Sequence, residues 1–386
     1  MRIARAAAPD KQIKEPQNIL VYRIGNLGDT VISLPAMWAV REQFPQARMV
    51  LLGNSNGRHV VARSVLPETG LFDEWLVYPS ATENQKSRFS TKLLELLLQL
   101  RREKFDTLVY LAPRERTAKQ VQRDLLFFRF AGIKQFFGHR GFISTPAKKA
   151  DKPLPFVVHE ADHLLDRLRL NKIETAPRGR GSMNLNLNAS ETETANAWLK
   201  QNCARAFDEK RLVAIAPGSK WSSKIWFEND YAELGRLLIT ELNLFPVVFG
   251  GKEDFELGKR LLKTWNCGAN SAGELSVRES AAAIAHCNLF VGNDTGSIHL
   301  AAAVNVSCVG IYAALHCPGH WHPYGDNHTV LRAVVPCEGC FLFECPNNKI
   351  CLRAVSVESV FAACRNAIEQ NKNAHATSRE SLKAIV

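Results

Sequence analysis

Short β-rich runs and stretches of helical periodicity alternate along most of this chain. The first run, Ile19-Leu-Val-Tyr-Arg-Ile24, leads into the small-residue turn Gly25-Asn-Leu-Gly-Asp29 and then into a helical pattern reaching Phe44. A strand is expected over 49–52, a helix over 95–104 and a buried strand over 107–111. Strands that alternate with helices in this way predict a parallel sheet covered by helices on both faces.

Over 176–190 the pattern lapses into Pro, Gly and Asn with few apolar positions, which reads as an interdomain linker. A second series follows, with strands at 212–216, 245–249, 289–291 and 308–312 and helices at 227–242, 279–286, 298–304 and 357–368. The chain is therefore expected to divide into a loose extension (1–17), a first α/β domain (18–175), the linker, a second α/β domain (191–370) and a disordered polar tail (371–386). Ligand is expected between the domains, at the carboxyl ends of the strands.

A length of 386 residues, 46% of them hydrophobic, suits two soluble domains rather than one core. No apolar run approaches the roughly 18 residues a membrane span requires. No signal peptide is evident behind Arg2 and Arg5, so the cytoplasm is the expected compartment. The formal charge is +11 and unevenly placed: residues 86–152 hold 16 Lys and Arg against 6 Asp and Glu. Such a field attracts anionic partners, whether nucleic acid, an acidic membrane surface or a phosphorylated glycolipid.

Four strand-to-helix turns carry candidate chemistry. In Gly25–Thr30, Asp29 is the lone carboxylate, placed either to cap a helix or to act as a base. The spacing is not GxGxxG, which argues against a dinucleotide site. The loop Pro217-Gly-Ser-Lys-Trp-Ser-Ser-Lys-Ile-Trp226 offers Ser219, Lys220 and Lys224, suited to phosphate, and two tryptophans. Gly250-Gly-Lys-Glu-Asp254 places Glu253 where a ribose can be bound or a helix dipole satisfied. Gly292-Asn-Asp-Thr-Gly-Ser-Ile-His299 sets Asp294, Thr295, Gly296 and His299 at a helix start, where backbone N–H groups favour a diphosphate.

Taken together these motifs resemble glycosyltransferase family 9, the heptosyltransferase family. Ile24-Gly-Asn-Leu-Gly-Asp29 with Leu34-Pro35, Ala216–Trp226 and Asn293-Asp-Thr-Gly-Ser-Ile-His-Leu-Ala-Ala302 match its signatures in order. The resemblance implies a GT-B architecture of two Rossmann-like domains, with an acceptor domain first and a nucleotide-sugar domain second. It implies inverting transfer from ADP-heptose to lipopolysaccharide core or a related anionic glycan, with no cofactor required for catalysis. Asp29 would be the general base, Lys224 would hold the donor phosphates, Asp294 the sugar, Thr295 and Gly296 the diphosphate, and Glu253 the ribose. Arg114, Arg116 and Lys119, in the basic first domain, are expected to dock the anionic acceptor, with the enzyme lying against the inner face of the cytoplasmic membrane and binding no nucleic acid. Two alternatives stand beside this one: a GT-B nucleotide-sugar epimerase, which would need no acceptor site, and a nucleic-acid-binding protein using the basic segment.

Cys337, Cys340, Cys345 and Cys351 form a separate cluster. Four thiolates at such spacing can hold structural zinc or iron, and the family often carries a cysteine-rich segment here. Reduced or disulfide-paired cysteines in a loop are the alternative.

Overall fold

The computed structural model describes residues 15–55, 61–79, 86–149 and 152–383. Most of the expected extension and the end of the tail, residues 1–14 and 384–386, lie outside them.

The first sheet is parallel, with strands β1 (Asn18–Arg23), β2 (Arg48–Asn54), β3 (Glu74–Tyr78), β4 (Thr107–Tyr110) and β5 (Gln135–Phe137) in the order β3-β2-β1-β4-β5. One face is covered by α1 (Leu27–Ile32), α2 (Leu34–Gln43) and α5 (Glu160–Arg169), the other by α3 (Lys86–Glu103) and α4 (Ala118–Phe130). The single helix expected as far as Phe44 is two. Ser33 ends α1 and starts α2, with Pro35 in the first turn, where its missing N–H costs nothing.

The linker leads into α6 (Ala189–Asp208) and a second parallel sheet. Its strands are β6 (Leu212–Ala216), β7 (Phe245–Val248), β8 (Ala269–Asn270), β9 (Leu289–Asn293), β10 (Cys308–Ile311) and β11 (His328–Leu331), ordered β11-β10-β9-β6-β7-β8. They alternate with α7 (Glu228–Thr240), α8 (Phe255–Trp265), α9 (Val277–Ile284) and α10 (Gly296–Ala303). The short α11 (Ile350–Arg353) and α12 (Val357–Lys383) close the chain. The helix expected to stop at Ile368 continues to Lys383. Residues 369–383 contain no Pro or Gly and abound in Ala, Glu, Lys and Arg, so nothing local breaks the helix.

Both sheets reverse direction beside their first strand, between β1 and β4 and between β6 and β9. The loops leaving these four strands therefore flank the two switch points, where open α/β sheets bind ligands. The domains are joined by apolar packing as well as by the linker. The inner core of the first sheet takes in Ala281, Leu300, Ala303 and Tyr324 from the second domain. Arg278 of α9, 5% exposed, donates to the carbonyls of Val65, Leu185 and Asn186 and pairs with Glu191. Among the described residues no helix is long and apolar enough to cross a membrane.

Candidate active site

A cleft of about 770 Å³ opens between the domains at the carboxyl ends of the strands. It brings together Asp29, Ser219, Lys220, Lys224, Glu253, Asp294, Thr295, Gly296 and His299, nine positions spread over 271 residues of sequence.

On the first-domain wall, Asp29 stands in the first turn of α1. Its Oδ2 accepts the Asn26 N–H at 2.6 Å. Asn26, not Asp29, is the N-cap, and Asp29 reaches back to it from the third helical position, as in a capping box. The side chain keeps 26% exposure, so the carboxylate is both held and open to the cleft. Arg23, at the end of β1, is buried beneath it. That guanidinium donates to the carbonyls of Leu111 (2.8 Å) and Asp29 (2.7 Å) and lies 4.0 Å from the Asp29 carboxylate. Arg23 ends an apolar run in the sequence, where it reads as the edge of a strand rather than as a support for Asp29.

Opposite, Lys224 Nζ lies 2.6 Å from Asp294 Oδ2. Burial would raise the Asp294 carboxyl, but the Lys224 ammonium and nearby histidines outweigh it and hold the group below its ordinary value. Thr295 is the N-cap of α10 and Gly296 its first residue, so the free N–H groups of that helix face the cleft. Asn293, fully buried, ties this turn to the lysine loop: its Nδ2 donates to the Pro217 carbonyl at 2.7 Å, and its Oδ1 accepts from Trp226 N–H and Tyr231 O–H. Its place in the motif was legible; its role as a clamp was not, because the partners lie about 70 residues away. His299 is buried behind the turn, and burial pushes its imidazole down to about 4.

Toward the β7 end, Glu253 and Asp254 line the cleft together. Asp254 accepts the Gly251 N–H at 2.9 Å, and burial raises its carboxyl. Ser219 Oγ accepts the Trp221 N–H, which leaves Lys220 exposed at the rim.

The basic trio behaves differently. Arg114 is buried, its Nε 2.6 Å from Glu160 Oε2 and its Nη2 on the Val158 carbonyl. Arg116 binds Tyr22 O–H at 3.1 Å and sits 3.4 Å from Asp124. Lys119 is exposed on α4. None of the three lines the cleft, and carboxylates inside the first domain hold Arg114 and Arg116, so the expected acceptor docking by this trio has no support in the cleft lining. Their neighbours Pro113 and Glu115 are the residues that reach the cleft. Burial, and then the nearby Glu160 charge, raise the Glu115 carboxyl.

The cysteines share one segment of the second domain. Among the described residues no three His, Cys, Asp or Glu side chains form a ready-made set of metal ligands, so zinc or iron at Cys337, Cys340, Cys345 and Cys351 stays an expectation. Cys351 on α11 is buried in the second-domain core, Cys340 packs against that core, and Cys345 Sγ accepts the Lys349 N–H. The segment braces the lysine loop. Ser222 Oγ donates to the Phe343 carbonyl and Ser223 Oγ to the Leu342 carbonyl, Lys349 Nζ donates to the Ile225 carbonyl, and Phe343 rests against Trp221.

Two doubly wound sheets, with an interdomain cleft carrying an acid on one wall and a cationic, amide-lined turn on the other, define the GT-B class. Residues 140–351, more than half of the chain, match the family described as Glycosyltransferase family 9 (heptosyltransferase), and the chain belongs to that family. It is similar to lipooligosaccharide heptosyltransferase 2 of Haemophilus influenzae, 29% identical over 133 residues; the match spans 33% of this chain and 38% of that protein, under two fifths of its length. Among solved structures, a family 9 glycosyl transferase from Veillonella parvula superposes with a TM-score of 0.68 at 19% identity, covering 92% of this chain and 97% of the other. The ADP-heptose lipopolysaccharide heptosyltransferase II of E. coli gives 0.65 at 19%, covering 92% and 100%.

Proposed function

We propose that this protein transfers a heptose from ADP-heptose to a lipopolysaccharide-core or related anionic acceptor, with inversion and without a catalytic metal. The observation that carries the reading is the pairing of walls across the cleft. Asp29 is fixed by Asn26 and underlain by Arg23, and it faces the α10 turn with its Lys224–Asp294 pair. In-line displacement needs one base on the acceptor side and charge relief on the donor side. Asp29 takes the acceptor proton as the glycosidic bond forms. The departing diphosphate is met by Lys224 and the free N–H groups of Thr295 and Gly296. Asp294 orients the sugar, and Glu253 or the adjacent Asp254 takes the ribose. The E. coli relative, named for ADP-heptose and lipopolysaccharide, supports the choice of donor and acceptor. Such an acceptor places the enzyme in the cytoplasm, at the inner face of the membrane.

Turnover with a panel of ADP-, UDP- and GDP-sugars tests this. ADP-heptose should be consumed fastest, and only with an acceptor present. Faster use of a UDP-sugar, or interconversion of the sugar with no acceptor, would refute the assignment.

A further inference from the structure

On the solvent side of the first domain, α3 and α4 lie against the same sheet face and bury Leu96, Leu100, Val121 and Phe128 into it. Each helix also turns an apolar pair outward. Leu94 and Leu98 on α3 are 55% and 45% exposed, and Leu126 and Phe130 on α4 are 52% and 59% exposed. Both pairs have i, i+4 spacing, so each forms one ridge on its helix. A surface helix of a soluble domain ordinarily keeps its outer face polar. Two neighbouring helices that both break the rule at the same spacing mark an interaction surface.

The chemistry beside the ridges identifies the partner. Arg101 and Arg102 flank Leu98, while Lys119 and Arg129 share the outer face of α4 with Leu126, and all four are exposed. Of the acids on these helices, Asp124 is buried against Tyr110 and Glu103 is paired with Arg48, which leaves Glu95 as the exposed acid. Apolar ridges set among cations are the pattern by which peripheral proteins lie on anionic bilayers. A second copy fits poorly, because a two-fold contact on this face would set these cations against themselves.

Placement agrees. The loop after β4 lines the cleft with Pro113 and Glu115, and Thr117 then caps α4. Leu126 and Phe130 then lie about 12 and 18 Å along α4 from that cleft-side start, on the outer flank of the acceptor domain. We propose that the α3–α4 face docks on an anionic lipid bilayer, through Leu94, Leu98, Leu126 and Phe130 with their flanking cations, and holds the acceptor domain at the membrane. This rests on the reading of the acceptor as lipid-linked.

The test is sedimentation of the full chain, without donor or acceptor, with vesicles of phosphatidylethanolamine and phosphatidylglycerol, and separately with phosphatidylcholine alone. The parent should pellet with the anionic vesicles and be released by high salt. Replacing all four apolar residues (Leu94→Ser, Leu98→Ser, Leu126→Ser, Phe130→Ser) should lower partitioning about tenfold or more, with ADP affinity and unfolding midpoint retained. Equal partitioning of parent and variant would overturn the proposal. So would a parent that ignores anionic vesicles and forms a dimer that the substitutions dissolve. Transfer to a deacylated, water-soluble acceptor is measured separately: its absence would defeat the reaction assignment and leave vesicle binding as it stands.

Discussion

Lys224 and Asp294 form an ion pair at 2.6 Å with side chains only 15% and 7% exposed, so neither can be removed without stranding the other. Breaking a buried pair from one side costs about 3–5 kcal/mol. Lys224→Ala should therefore both weaken ADP binding and lower the unfolding midpoint. Adding Asp294→Asn should restore much of the stability but none of the ADP affinity, a non-additivity that calorimetry and thermal unfolding can resolve. If Lys224→Ala binds ADP as the parent does, its phosphate role is excluded.

Asp29→Asn separates the two readings of that residue. An amide oxygen can still accept the Asn26 N–H, so the turn and the unfolding midpoint should hold. An amide cannot take the acceptor proton, so kcat should fall on the order of 10²–10⁴ with donor affinity nearly unchanged. A folded variant of full activity would leave Asp29 as a capping residue alone.

Glu160→Gln should destabilise the first domain by about 3–5 kcal/mol at neutral pH, because Arg114 loses its buried counter-charge. Burial would raise the Glu160 carboxyl, but the His320 hydrogen bond and the Arg114 charge hold it at about 2. Its folded value is thus depressed. The stabilisation is present above the ordinary carboxylate range and is lost as pH falls toward 2. Urea unfolding at pH 7 is the measurement, and parental stability in the variant would contradict the pairing.

Burial pushes eight histidines down, five of them furthest: His159 to about 3, and His163, His299, His316 and His322 to about 4. Between the ordinary imidazole value of about 6.5 and these values, the unfolded chain binds protons that the native state refuses. Stability should therefore fall as pH drops from about 6.5 to 4, by up to about 1.4 kcal/mol per unit for each histidine. His163→Met should flatten the slope, since the buried His163 Nε2 has no partner to lose. A stability profile level from pH 7 to 4.5 would contradict this.

The central strands and the donor-side turns were legible because each is a compact local signal. A continuous apolar run is what a strand covered on both faces requires, and small residues beside a carboxylate are what a close-approach turn requires. Some of the elements that escaped have their identity set from outside. β5 and β8 are three and two residues long and exist because a neighbouring strand offers a ladder. Arg114 and Arg116 looked like free cations because charge counting cannot see Glu160, 46 residues on, or Tyr22, 94 residues back. The four cysteines read as a ligand set because they stand close in sequence, but spacing alone does not fix how the thiols stand in space. Arg23 and Asn293 were hidden for the converse reason: their value to the site lies in carbonyls brought from distant loops.

The starts of α1 and α10 meet across the floor of the cleft. A Cβ added to Gly28 would stand 3.0 Å from His299 Cδ2, and one added to Gly296 would stand 2.6 Å from Leu27 Cδ2. Two backbones that touch with no side chain between them make a fulcrum. If the domains rock to admit donor and release nucleotide, they turn about Gly28 and Gly296. Points far from a fulcrum travel farthest and points beside it hardly move. Asp29 and the 294–296 turn would then keep their spacing through each cycle, with the travel falling on the outer edges of the two domains. A methyl group at either glycine would act as a wedge, altering the gap between base and donor while leaving both groups intact.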